Sequence, residues 1–238
     1  MIAFAGRHIL LDIEGTTSSI AFVADVLFPY ARRELEAFLR RGWDEPDVAR
    51  ARALLARDVQ AAGELDLQAL CAAAYRLMDA DAKATGLKEL QGLIWREGYG
   101  AGRLVSHVYP DVPPALAEWA RRGLDVRVYS SGSVTAQRVY FAHTEAGDLL
   151  PLLRGHYDTT TGPKRAAESY RRIAADIRAA PGDVLFLSDV TAELDAAAEA
   201  GVRTVLVVRP GNAPAPPGQR HPVVTDFAQV TSWLVSSP

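Results

Sequence analysis

Short apolar runs that stop abruptly at polar turns recur along the chain, and a long stretch of different periodicity separates the first run from the rest. The first, His8-Ile9-Leu10-Leu11-Asp12-Ile13, gives way to Gly15-Thr16-Thr17-Ser18-Ser19, the pattern of a buried strand that ends in a polar loop with Asp12 at its carboxyl end. From position 21 to 102, segments rich in Ala, Leu and Arg carry apolar residues at helical spacing. They are broken near Gly42, Gly63 and Gly86, which predicts a block of about four helices. Beyond Tyr109-Pro110, helix and strand alternate. A helix over 113–122 ends at Gly123, and a strand over 124–129 runs into Ser130-Ser131-Gly132-Ser133. Helices follow over 133–143 and 164–178, and Pro181-Gly182-Asp183 then turns the chain into a strand over 184–188 that stops at Asp189. The next helix, 191–200, is closed by Gly201. After an apolar strand over 202–208 and a proline-rich loop over 210–222, a short strand and helix complete the pattern near 223–234.

Strands alternating with helices predict an α/β fold, a doubly wound parallel sheet, and such sheets bind ligands at the carboxyl ends of their strands. Asp12, Ser130 and Asp189 all fall at such ends. The expected division is a catalytic core of residues 1–19 and 106–238 and an inserted helical cap of residues 20–105. With 49% hydrophobic and 23% charged residues, the 238-residue chain has enough apolar material for a core and enough charge for a soluble surface. The net charge of -3, from 26 Lys+Arg against 29 Asp+Glu, provides no field that favours nucleic acid or an anionic membrane. The single cysteine, Cys71, excludes an intrachain disulfide or a multi-cysteine metal site and reads as a small buried hydrophobe. No signal-peptide core and no window of about 18 apolar residues is present, so a cytoplasmic enzyme or binding protein is expected.

Asp12 and Glu14 are two positions apart, which in extended chain puts both carboxylates on one side at the mouth of the sheet. Paired acids divide labour: one stays ionised as nucleophile while the other trades protons with the leaving oxygen. Strand ends also carry carboxylates that only bind solvent or cap a helix, but here Gly15 lets the backbone turn toward an anion. Ser130 and Ser131 form a hydroxyl-rich turn suited to phosphate oxygens, or equally to an ordinary helix cap. Lys164 stands at an expected helix start, where the macrodipole disfavours a cation, and a charge-cancelling role accounts for it. Asp189 and Asp12 together offer oxygen ligands for magnesium. His8, His107, His143, His156 and His221 lack zinc spacing and are read as structural. There is no Gly-x-Ser-x-Gly elbow, no Walker loop and no dinucleotide fingerprint after a strand.

In order, Asp12-Ile13-Glu14-Gly15-Thr16, Ser130, Lys164 and Asp189 resemble the four motifs of the haloacid dehalogenase superfamily. Glu14 departs from the aspartate usual at that position in its phosphatases. That variant resembles the enolase-phosphatases of methionine salvage, as do Tyr129-Ser130-Ser131-Gly132-Ser133-Val134, Leu187-Ser188-Asp189-Val190-Thr191 and Val208-Arg209-Pro210-Gly211-Asn212. Leu90-Gln91-Gly92-Leu93-Ile94-Trp95 and Gly98-Tyr99 are similar to that family's cap. The resemblance implies a monomeric, magnesium-dependent enzyme with one ion per subunit. It would enolise 2,3-diketo-5-methylthiopentyl-1-phosphate, a small phosphate ester, and then dephosphorylate it to an acireductone. By position, Asp12 would be nucleophile and metal ligand, and Glu14 metal ligand, through its side chain or its carbonyl, and acid-base. Ser130, Ser131 and Lys164 would hold the substrate and its phosphoryl group. Asp189 would complete the metal site, with Glu193 behind it. Two other readings stay open: a phosphatase of the same fold for another sugar or nucleotide monophosphate, and a phosphate-binding module without turnover.

Overall fold

The computed structural model describes residues 3–82 and 84–234. The chain divides into two compact units, Met1–Phe22 with Ser106–Pro238, and Val23–Val105. In the first unit the elements run β1 (His8–Leu11), α1 (Ile20–Phe22), α6 (Val112–Arg121), β2 (Asp125–Tyr129), α7 (Val134–Ala142), β3 (Gly155–Tyr157), α8 (Ala167–Asp176), β4 (Val184–Ser188), α9 (Thr191–Glu199), β5 (Arg203–Val207), β6 (Val223–Val224) and α10 (Phe227–Trp233). The remaining helices belong to the second unit.

The strands form one parallel sheet in the order β3-β2-β1-β4-β5-β6. β1 and β4 lie in the middle with both faces covered, which is why they are apolar at successive positions rather than alternating. Leu10, Phe186 and Leu206 pack with Tyr129, Tyr170, Ile173 and Leu194 into one core cluster under α8 and α9. Ile9 and Leu11 face the opposite side by the alternation of the pleat and are buried there too. α6 packs on α10, where Trp119 stacks on Phe227 at 5.3 Å and donates its indole N–H to Thr231 Oγ1 at 2.8 Å.

The strand order reverses at β1, with β2 on one side and β4 on the other, so the connections leaving β1 and β4 diverge and open a crevice at their carboxyl ends. Leu11 is in register with both Val128 and Leu187, and the Asp12 N–H donates to Leu187 O at 3.0 Å. Asp12, Ser130 and Asp189 therefore leave the sheet on the same edge.

Two expectations about this unit change. The edge strand β3 has no counterpart in the apolar pattern, because three residues along one partner strand bury too little to leave a signature. The helix expected from position 164 begins instead at Ala167, so Lys164 lies in the turn before it and the macrodipole argument for that lysine lapses.

The second unit begins with a π-helical turn, Val23–Leu27, followed by α2 (Phe28–Gly42), α3 (Pro46–Asp58), α4 (Leu67–Asp79) and α5 (Thr85–Gly100). Leu35, Leu39, Leu55, Ala74, Leu90 and Ile94 fill its interior, and Cys71 is buried with its thiol pKa raised by desolvation. The helices break near Gly42, Gly63 and Gly86 as expected, but Gly86 itself is not in the break. It lies in the first turn of α5, where a Cβ would overlap the backbone of Leu54 and Leu55 on α3. Its N–H is capped by Asp58 Oδ2 at 2.6 Å. The glycine is a close-packing residue, not a breaker. Among the described residues, no helix is long and apolar enough to cross a membrane.

Gly86→Ala should destabilise the protein by about 1–3 kcal/mol through overpacking, against the roughly 1 kcal/mol gain expected of alanine in an unobstructed helix. Urea unfolding measures the sign, and a stabilised variant would refute the contact. A second expectation concerns His156 on β3, whose Nδ1–H donates to Gln137 Oε1 at 3.3 Å. Burial, with the Arg138 charge adding to it, lowers its imidazole from 6.5 to about 4. Its neutral form is favoured in the fold, so stability is complete above pH 6.5 and falls as pH drops toward 4. The slope of unfolding free energy over that window should be shallower in His156→Asn; an unchanged slope would show that His156 does not set it.

Candidate active site

Asp12 is buried at the end of β1, 5% exposed, and two donors meet its Oδ1. Lys164 Nζ lies 2.7 Å away and the Ile13 N–H donates at 2.7 Å. Lys164 Nζ also lies 2.7 Å from Glu193 Oε2, on the first turn of α9. Between the two acids stands Ser188, the last residue of β4, with Oγ 3.2 Å from Asp12 Oδ2 and 3.2 Å from Glu193 Oε2. Its single proton serves one acid at a time, while the hydroxyl oxygen accepts the Val190 N–H at 3.1 Å.

Lys164 is placed by the packing beneath it. Tyr170 donates its hydroxyl to Lys164 O at 2.7 Å, Ser169 Oγ donates to Pro163 O at 2.8 Å, and Tyr129 donates to Gly162 O at 2.7 Å. Tyr129 and Tyr170 belong to the core cluster under α8 and α9, so the same packing that buries apolar surface sets the height of the ammonium. Burial alone would push the lysine's pKa down, but the charges of Asp12 and Glu193 outweigh it and the net shift is upward.

The turn after β1 brings Asp189 to this cluster. Gly15 has φ +67°, and a Cβ there would overlap the carboxylate of Asp189, so only glycine lets the turn approach that acid. Desolvation, then the charge of Asp12, raises the Asp189 carboxyl to about 7. Glu193 is likewise raised by burial and by Asp12. Asp12, Asp189 and Glu193 outnumber the one ammonium, an excess of negative charge that suits a divalent cation with oxygen ligands.

Glu14 differs from Asp12 in its exposure. The chain is not extended here: Thr16, Thr17 and Ser18 all donate N–H to Ile13 O, closing a tight turn, and Glu14 is exposed while Asp12 is buried. The shared side expected for the two carboxylates is therefore not what the turn provides. Among the described residues, no group of three His, Cys, Asp or Glu side chains is already placed to hold a metal ion.

Ser130 is buried and accepts the Gly132 N–H at 3.3 Å, and Ser131 is exposed. Capping of α7 falls to Ser133, whose hydroxyl accepts the Ala136 N–H at 3.2 Å, which leaves Ser130 and Ser131 outside that duty. Sequence reasoning missed Ser188, Tyr129 and Tyr170. Ser188 sits inside an apolar strand beside Asp189, and a lone hydroxyl there is the one signal that marked it.

The haloacid dehalogenase-like hydrolase family model matches residues 7–201. The chain is 49% identical over 224 residues to the enolase-phosphatase E1 of Pseudomonas aeruginosa strain UCBPP-PA14, covering 94% of this chain and 97% of the relative. It is 48% identical to the enolase-phosphatase E1 of Sorangium cellulosum, covering 97% and 99%. Among solved structures it is similar to the UTR4 protein of Saccharomyces cerevisiae, with TM-score 0.78, 36% identity and 93% and 98% of the two chains covered. A buried acid on β1, a lysine before α8 and an acid after β4, combined with near full-length identity of this order, leave one assignment. The chain belongs to the enolase-phosphatase E1 family of haloacid dehalogenase-like hydrolases.

Proposed function

We propose that the protein is a cytoplasmic, magnesium-dependent enolase-phosphatase that converts 2,3-diketo-5-methylthiopentyl-1-phosphate to an acireductone and phosphate, with Asp12 as nucleophile. The observation that carries the proposal is the buried Asp12–Lys164 pair at the mouth of the sheet, with Asp189 against the same turn. The ammonium pairs with Asp12 and lies where it cancels charge on an incoming phosphoryl group. In the first half-reaction a carboxylate oxygen of Asp12 attacks phosphorus, and the bond from phosphorus to the ester oxygen breaks. Glu14 protonates the departing oxygen. In the second half-reaction a water, deprotonated by Glu14, releases phosphate from the aspartyl-phosphate and restores Asp12. Ser130 and Ser131 orient the ester in this scheme, and Glu193 positions Lys164.

The donor set fits magnesium, an ion that takes few protein carboxylates and keeps several waters. Asp12, Asp189 and the backbone carbonyl of Glu14 would hold it. When bound, it supplies Lewis-acid polarisation of phosphoryl and carbonyl oxygens, useful to both phosphate transfer and enolisation. The helical unit Val23–Val105 is assigned the role of substrate-selecting cap.

Adding the diketone phosphate with magnesium should produce the ultraviolet absorbance of an enol together with inorganic phosphate. Chelation should abolish both and added magnesium restore them. Asp12→Asn should lower phosphate release by roughly three or more orders of magnitude, as removal of a covalent nucleophile does. Full activity in that variant would sink the covalent role. Faster turnover of a sugar or nucleotide monophosphate than of the diketone would sink the substrate.

A further inference from the structure

The segment Val208-Arg209-Pro210-Gly211-Asn212 has no part in the reaction as set out above. It follows β5, which is separated from β1 by β4 in the sheet, yet its side chains reach across to the turn after β1. Asn212 Nδ2 donates to Gly15 O at 2.8 Å. Arg209 Nε donates to Thr16 O at 3.0 Å. The next carbonyl, Thr17 O, accepts the Tyr109 N–H at 3.0 Å. Three successive carbonyls of one turn are thus each held by a group from outside it. Within the turn the N–H groups of Thr16, Thr17 and Ser18 converge on Ile13 O at 3.2, 3.0 and 2.9 Å. The peptide planes that join Gly15 to Thr16, Thr16 to Thr17 and Thr17 to Ser18 are therefore pinned on both edges.

Arg209 is costly to place there. It is 4% exposed, and its charge is met by Asp111 Oδ1 at 2.9 Å, with Nη1 also donating to Thr225 O at 3.0 Å. Nη2 has no hydrogen-bond partner. The guanidinium instead lies over the rings of Tyr109 and Phe227, 4.4 and 4.8 Å from their centroids. A buried arginine gripping a backbone carbonyl, where an apolar residue would fill the space without a desolvation penalty, indicates that the position of that carbonyl matters.

We propose that Asn212 and Arg209 are positioning residues for the reaction. They fix the turn that sets Asp12 and the Glu14 backbone against Asp189. The Cα of Gly15 abuts the Asp189 carboxylate, so any drift of this turn changes the spacing between the acids of β1 and β4. The kinetic part of this inference rests on the proposed phosphatase reaction. The structural part does not.

The test compares wild type with Asn212→Ala, a loop variant that leaves the Arg209–Asp111 pair intact, at a temperature where both are folded. Loss of one hydrogen bond to the turn should lower kcat for phosphate release about tenfold with KM changed less than about twofold. Hydrogen exchange in the metal-free protein should quicken at the Thr16, Thr17 and Ser18 amides while the amides of β4 keep their protection. Arg209→Lys, which retains the cation beside Asp111 but not the planar fork, should shift both readouts the same way. Unchanged kcat in folded Asn212→Ala would overturn the proposal, as would faster exchange spread through the sheet, the mark of a purely structural brace. If wild type turned over no phosphate ester, the proposed reaction would fall, and the exchange pattern alone would decide this inference.

Discussion

The site is organised around a single ammonium group. Lys164 Nζ is 2.7 Å from both Asp12 and Glu193 and nearly sealed from solvent. Each buried carboxylate costs several kcal/mol in lost hydration, and only a close counter-charge offsets that. Without the lysine, Asp12, Glu193 and Asp189 would share the carboxyl edge of two adjacent strands with no cation to separate them. Desolvation first, and the charge of Asp12 after it, raises the carboxyls of Asp189 and Glu193. A site left acidic suits the divalent cation of the proposed reaction.

Such an arrangement destabilises the edge on which it sits, so its precision must come from elsewhere. The topology supplies one part, since the reversal of strand order at β1 brings the ends of β1 and β4 side by side. Packing supplies another. Tyr129 and Tyr170 have their rings in the core and their hydroxyls on the loop that carries Lys164, so apolar burial is converted directly into the placement of a charge. The loop after β5 contributes the third part through the carbonyls of Gly15 and Thr16.

What the sequence made legible follows from the same physics. β1, β2, β4 and β5 announce themselves because strands covered on both faces need unbroken apolar runs, and Asp12 and Asp189 stand out as the charges that end two of them. β3 is an edge strand of three residues and leaves no such trace. Gly86 was indistinguishable from a breaker, because a glycine that admits a neighbouring helix and one that ends its own look alike along the chain. Lys164 was found for a reason that does not hold: no helix starts there, and its partners lie 152 and 29 positions away (164 − 12 and 193 − 164), at separations to which local pattern is blind. Ser130 and Ser131 were ambiguous between cap and ligand until Ser133 took the cap.

In the proposed reaction Asp12 and Glu14 divide the work, and their surroundings differ accordingly. Asp12 is buried and paired, which holds its oxygens in one place, as a nucleophile requires. Glu14, two positions on in a closed turn, is exposed. A group that gives a proton to a leaving oxygen and then takes one from water must exchange with solvent in every cycle, which a sealed carboxyl does slowly and an exposed one does freely. The extended-chain geometry would have put both acids in the same environment and made them compete. The tight turn through Ile13 separates their environments while keeping them adjacent, and Gly15 makes that turn possible against Asp189.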